Sequence, residues 1–186
     1  MKFSILFFLF TFSIAIQAQP PQRFIAVTID DLPVVSTRKD LKNRQQITRK
    51  LLKHITKAKV PAIGFVNENK LYTGEKRDEA QVDLLRSWLN ANLELGNHTF
   101  SHLSLHDNSL EKYKAEILKG EIITKELLAA KSMKIRYFRH PYLRTGLSLD
   151  IKRDLGAFLN EHNYRVAPVT IDNADYIFAR GYDNAF

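Results

Sequence analysis

The chain carries six histidines, and two of them, His98 and His102, stand four residues apart in Asn97-His98-Thr99-Phe100-Ser101-His102. At that spacing two imidazoles share one face of a helical turn, and both can reach a single cation. Zinc accepts imidazole nitrogen at about 2.0–2.1 Å and keeps one position open in catalytic sites. His106 extends the series by four more residues, so a three-histidine face also fits the spacing. The same pattern suits a pair of surface or capping histidines. Asp30-Asp31 is the second candidate. Adjacent carboxylates repel, and burying both costs stability unless a cation or a donor compensates them. Neighbours in an extended chain point in different directions. One can therefore ligate a metal while the other faces a substrate as a base; a solvated loop start or a helix cap is the alternative. Arg139-His140-Pro141-Tyr142 sets a permanently charged guanidinium, able to grip a carboxylate with two bonds, beside a rigid proline turn. A surface loop with an ordinary ion pair would read the same way. Asp172-Asn173-Ala174-Asp175-Tyr176 adds acids suited to orienting Arg139, lining a groove or capping a helix.

These segments need elements to bring them together, and the sequence supplies alternating strands and helices. Phe24 to Ile29 is a continuous apolar, β-rich run, as in a buried parallel strand, and Pro33 stops it after Asp30-Asp31-Leu32. Asp40 to Lys57 has apolar residues at helical spacing. Pro61 to Val66 reads as a strand. Asp78 to Leu93 reads as a helix with Val82, Leu85, Trp88 and Leu89 on one face, and Glu94 to Asn97 as a short strand. Ser109 to Lys131 reads as one long amphipathic helix with Ser109 as N-cap. Ile135 to Phe138 is a strand, Ser148 to Asn163 a serine-capped helix, and Arg165 to Ile171 the last strand. Such alternation predicts an α/β fold with a parallel sheet and helical crossovers. In these folds the chemistry gathers at the carboxyl ends of the strands, where all four polar segments fall.

Taken together and in this order, the four segments resemble the polysaccharide deacetylase family, also called the NodB-homology domain or carbohydrate esterase family 4. Thr28-Ile29-Asp30-Asp31-Leu32 stands where the family has T-F-D-D-G. His98-Thr99-Phe100-Ser101-His102 fits H-S/T-x-x-H, Arg139-His140-Pro141-Tyr142 fits R-x-P-Y/F/W, and Asp172 to Tyr176 fits D-x-x-D-W/Y. The resemblance runs from about Arg23 to Phe186. It implies an irregular parallel β/α barrel, NodB-like and of a deformed TIM type. It also implies removal of N-acetyl groups from amino-sugar glycans such as chitin oligomers or peptidoglycan. Asp30 is the implied base, and Asp31, His98 and His102 are the implied ligands of Zn2+ or another divalent ion. Arg139 would hold and tune Asp30. The backbone N–H of Tyr142 would help stabilise an oxyanion, while Tyr142 and Tyr176 would line the substrate groove. Asp172 would contact Arg139. Two departures stand out. Leu32 replaces the motif's glycine, which leads us to expect a narrowed or reshaped site. The family's L-x-H motif, source of the implied general acid, has no counterpart, and His140 lies in a different sequence context. With five β/α units readable, the expectation is a barrel incomplete at its C-terminal end and a sequence that is part of a longer product. The alternatives are a non-catalytic glycan-binding relative and an esterase acting on O-acetyl groups, as on xylan.

Composition bounds the rest. A length of 186 residues with 45% hydrophobic and 26% charged residues suits one folded domain, read here as residues 20–186. Lys2, the apolar run Phe3 to Ile16 and the small-residue exit Gln17-Ala18-Gln19 have the order of a secretory signal peptide, predicting export to the periplasm or beyond. That run is shorter than the roughly 20 residues of a membrane span, so no stable insertion is expected after cleavage; an uncleaved anchor is the rival reading. The absence of cysteine leaves packing and metal binding to stabilise an exported chain. The net charge of +8 is scattered, with no basic-aromatic patch of the kind that binds nucleic acid.

Overall fold

The computed structural model describes residues 24–36, 38 and 40–183. The leader-like residues 1–19 lie outside the described residues. Five strands form one sheet: β1 (Val27–Leu32), β2 (Ala62–Val66), β5 (Glu94–Asn97), β6 (Tyr137–Phe138) and β7 (Arg165–Val166). They lie in that order and every pairing is parallel. Each strand therefore adds to the same side of the one before it. One row of paired residues, Leu32, Val66, Asn97, Phe138 and Val166, runs across the whole sheet. The segments just past this row share one rim. A hairpin, β3 (Tyr72–Thr73) with β4 (Lys76–Arg77), sits apart from the sheet.

The helices are α1 (Leu41–Lys57), α2 (Glu79–Asn90), α3 (Leu110–Lys119), α4 (Ile122–Ala129), α5 (Leu149–Glu161) and α6 (Asp175–Asp183). Four begin with a local side-chain cap: Asp40 accepts from Asn43 N–H, Asp78 from Ala80 and Gln81, Ser109 from Lys112 and Ser148 from Ile151. Helix α2 packs Val82, Leu85, Trp88 and Leu89 into the core, as its periodicity predicted, against Val66, Leu95 and Leu32 among others. None of the described helices is long and apolar enough to cross a membrane.

Three expectations need correcting. Phe24 and Ile25 precede the first strand and are exposed; among the described residues β1 pairs with β2 alone, at the edge of the sheet. The strand instead continues through Asp30 and Asp31, with a register shift between Ile29 and Leu32. The helix read from Ser109 to Lys131 breaks into α3 and α4 at Gly120-Glu121. A Cβ at Gly120 would lie 2.5 Å from the backbone of Thr99 and Phe100, so the break admits a neighbouring loop. The last strand pairs only over Arg165–Val166; Ile171 is exposed beyond it.

Candidate metal centre

The rim collects the residues singled out by type and spacing. Asp30 and Asp31 lie near the end of β1, His98 follows β5 directly, and Arg139 follows β6 directly. Backbone bonds lock these exits together: His98 N–H donates to Val66 O at 3.0 Å and Arg139 N–H to Asn97 O at 3.0 Å. One ligand atom from each of Asp31, His98 and His102 lies within 4.8 Å of the others. His102 Nε2 stands 3.7 Å from Asp31 Oδ1. His106 is outside this group. Residues 98–102 form an irregular loop, with Thr99 at φ 65° and His102 at φ 59°, so the two imidazoles meet by loop folding and not on a helical turn.

Among the described residues this trio is the one group of three or more His, Asp or Glu side chains arranged to hold a metal ion. Its chemistry fits a divalent cation. The set offers one carboxylate and two imidazoles, the donor types zinc takes. His98 Nδ1 lies 2.8 Å from Arg139 O, and since a carbonyl only accepts, Nδ1 carries the proton and Nε2 presents its lone pair. Burial pushes the His98 pKa down to about 4 and lowers that of His102, keeping both imidazoles neutral, as ligation requires. Lys70 was not anticipated. Its ammonium donates to the backbone O of Asp31 at 2.8 Å and lies 3.4 Å from Asp31 Oδ1. Burial lowers its pKa, and the Asp31 charge opposes that shift.

Asp30 has a different environment. Arg139 places one guanidinium nitrogen 3.3 Å from Asp30 Oδ2 and donates from another to Thr28 Oγ1 at 3.0 Å. Thr28 and Asp30 are two apart on one strand, hence on one face, which is the signal by which Thr28 could have been found. The Arg139 guanidinium also sits 4.8 Å over the Phe65 ring. Asp30 Oδ1 is buried without a hydrogen-bond partner among the described residues. Burial raises the Asp30 pKa, Arg139 pulls it down, and Asp31, Asp175 and Asp172 each add to the rise. Tyr142 is 61% exposed, with its ring packed edge-on to His102 at a centroid separation of 4.4 Å. Asp31, Thr99, His102, Tyr142 and Leu143 all have φ between 56° and 66°, a concentration of left-handed non-glycine backbone at one place.

Two expectations change. Asp172 makes no contact with Arg139 among the described residues; its carboxylate accepts from Ala174 N–H at 2.9 Å in its own turn and reaches the site only through its charge. Tyr176 is exposed on α6, open to a ligand as Tyr142 is. Leu32 does not narrow the site: it is 2% exposed, points into the core and rests on Gly64, where a Cβ would come within 2.1 Å of its Cδ1. His140 likewise turns away, with Nδ1 3.3 Å from Tyr113 Oη and its ring against Phe138.

The sequence pattern of the family described as Polysaccharide deacetylase matches residues 17–167. The chain belongs to that family. Solved polysaccharide deacetylases share its fold. It is similar to the peptidoglycan deacetylase PdaC from Bacillus subtilis, at 21% identity and TM-score 0.59, over 83% of this chain and 62% of that one. It is also similar to the chitin deacetylase from Colletotrichum lindemuthianum, at 24% identity and TM-score 0.59, over 81% and 57% of the two chains. A CE4 family pseudoenzyme from Bacillus anthracis matches at 15% identity and TM-score 0.59, over 82% and 45%. The chain thus spans about half the length of the solved structures it matches. No match was found among curated proteins.

Proposed function

We propose that this chain carries the metal and base machinery of a deacetylase that removes N-acetyl groups from amino-sugar glycans, chitin oligomers or peptidoglycan. The observation that carries this reading is the pairing of two differently treated carboxylates on one strand end. Asp31 groups with His98 and His102 and also takes the Lys70 ammonium, while Asp30 Oδ2 lies 3.3 Å from the Arg139 guanidinium and 4.0 Å from His98 Nε2. Asp31, His98 and His102 would hold the divalent cation, with Zn2+ the best match to their donor types. When bound there, such an ion acidifies a water and polarises an acyl oxygen.

The chain's own residues supply the rest. Asp30 would accept the proton of the attacking water through a carboxylate 32% exposed at the rim, whose Oδ1 has no hydrogen-bond partner among the described residues. Its raised pKa makes it a stronger base than an ordinary carboxylate. Arg139 holds the other oxygen, so the carboxylate stays oriented before and after it takes the proton. The exposed Tyr142 ring offers a sugar an apolar platform beside His102, and its backbone N–H would serve the oxyanion. We further read residues 1–19 as an export signal, placing the reaction in the periplasm or outside the cell.

The test is acetate release from N-acetylated chito-oligomers and from peptidoglycan, with O-acetylated xylan as the competing substrate. The full-length parent protein with Zn2+ should release acetate, and Asp30→Asn should reduce the rate by about 10²–10⁴. Zinc binding with glycan binding but no acetate from any substrate would instead identify a glycan-binding relative, the reading suggested by the pseudoenzyme of the same fold.

A further inference from the structure

The backbone between the two histidine ligands is held by side chains outside the four motifs. Three consecutive N–H groups in this loop each have an acceptor, the Glu116 carbonyl being shared with Gly120 N–H. Thr99 N–H donates to Asn97 Oδ1 at 2.7 Å, Phe100 N–H to Glu116 O at 3.0 Å and Ser101 N–H to Glu116 Oε2 at 2.8 Å. Ser101 Oγ adds a bond to the same Oε2 at 2.6 Å. On the other flank Phe100 O accepts from Asn69 N–H at 3.0 Å. Glu116 therefore takes two of the three N–H groups, one with its carbonyl and one with its carboxylate. It can do so because α3 ends at Gly120, whose missing Cβ would sit 2.5 Å from Thr99 C and Phe100 N. Gly120 itself has φ −84°, so any residue could adopt its backbone; the glycine is required by the loop and not by the helix end.

From this geometry we infer that Glu116, with Gly120 clearing the approach, is the positioning residue of the His98–His102 loop and sets the separation of the two imidazoles. The inference rests on the metal-centre reading above. The Glu116 side chain acts as an acceptor only, through one oxygen that both Ser101 donors share, so its charge is dispensable and a carboxamide oxygen can replace it; the carbonyl bond to Phe100 N–H is common to any residue there. Ser101 is exposed, so water can replace the lost bonds and global stability should barely change when Glu116 is removed. The loop would then lose its fixed path, and partners outside the ligand set typically govern about 10–100-fold in metal affinity.

The experiment measures Zn2+ affinity by competition with a chelator, together with the visible absorption of the Co2+-loaded chain and its thermal midpoint, in the parent, Glu116→Ala, Glu116→Gln and Gly120→Ala. The expected result is a loss of at least tenfold in Zn2+ affinity and an altered Co2+ spectrum for Glu116→Ala and Gly120→Ala, with Glu116→Gln close to the parent. Parent-like affinity and spectrum in Glu116→Ala overturn the inference while leaving the metal centre intact. So does a uniform loss in all three variants that follows their thermal midpoints. A folded parent that binds neither ion overturns both the inference and the reading beneath it.

Discussion

Replacing His140 with Phe isolates one buried titration and gives a stability change that can be worked out in advance. His140 is 7% exposed, stacked on Tyr113 and packed against Phe138. Burial, reinforced by the positive charges of Arg139 and Lys152, drives its pKa down to about 4. In the unfolded chain the value returns to about 6.5. A lowered native pKa means full stabilisation above pH of about 6.5 and progressive loss as the pH falls towards about 4. Near pH 5 the unfolded imidazole is protonated and the native one is not. The difference is about 1.5 pH units at 1.36 kcal/mol each, or about 2 kcal/mol. Phe keeps the ring and cannot titrate. It forfeits the partner of Tyr113 Oη, a cost of about 1–3 kcal/mol that is present at both pH values and cancels in the comparison. His98 and His102 titrate in the same direction, whereas the raised pKa values of Asp30 and Glu68 favour the folded chain at low pH and lose that contribution as pH rises. Only the difference between variant and parent is therefore informative. Urea unfolding with chelator present, near pH 7.5 and near pH 5, should show the parent losing about 2 kcal/mol more than His140→Phe on acidification. Equal losses in the two proteins would refute the argument.

Other positions make similarly sharp expectations. Gly64→Ala should cost about 1–3 kcal/mol in urea unfolding, because its Cβ meets Leu32; Leu32→Ala in the same chain should make the combined loss smaller than the sum of the two single losses. Glu68→Ala should cost about 2–5 kcal/mol, since Glu68 is fully buried and its carboxylate accepts the N–H groups of Ile123 and Thr124 at the start of α4. Arg139→Met should move the acidic limb of the pH–rate profile to higher pH, because Arg139 is the charge that lowers the Asp30 pKa; an unmoved limb would mean that Asp30 is not the titrating base.

Much of this arrangement could be read from residue types and periods. Val82, Leu85, Trp88 and Leu89 gave the buried face of α2, and Ser109 and Ser148 gave helix starts. The Asp31, His98, His102 trio is what the family resemblance implies; ligand chemistry and strand ends alone left Asp30 and His106 as candidates too. What escaped depended on contacts distant in sequence. Nothing near Lys70 indicates that its ammonium reaches Asp31, 39 residues away. The α3–α4 break at Gly120 arises from the approach of Thr99 and Phe100, so periodicity within residues 109–131 could not reveal it. The four-residue histidine spacing was correct for the wrong local reason, since backbone at positive φ and not a helical turn joins the rings. Leu32 was assigned to the site because of its place in a motif, yet the register shift in β1 sends it into the core.

The central claim is that Asp31, His98 and His102 form a working cation site, and zinc calorimetry on the folded chain tests it most directly. Near-stoichiometric binding in the parent, lost in Asp31→Ala with helix content unchanged by circular dichroism, is the predicted result. A folded parent that takes up no zinc, or an Asp31→Ala variant that binds as tightly as the parent, would contradict it.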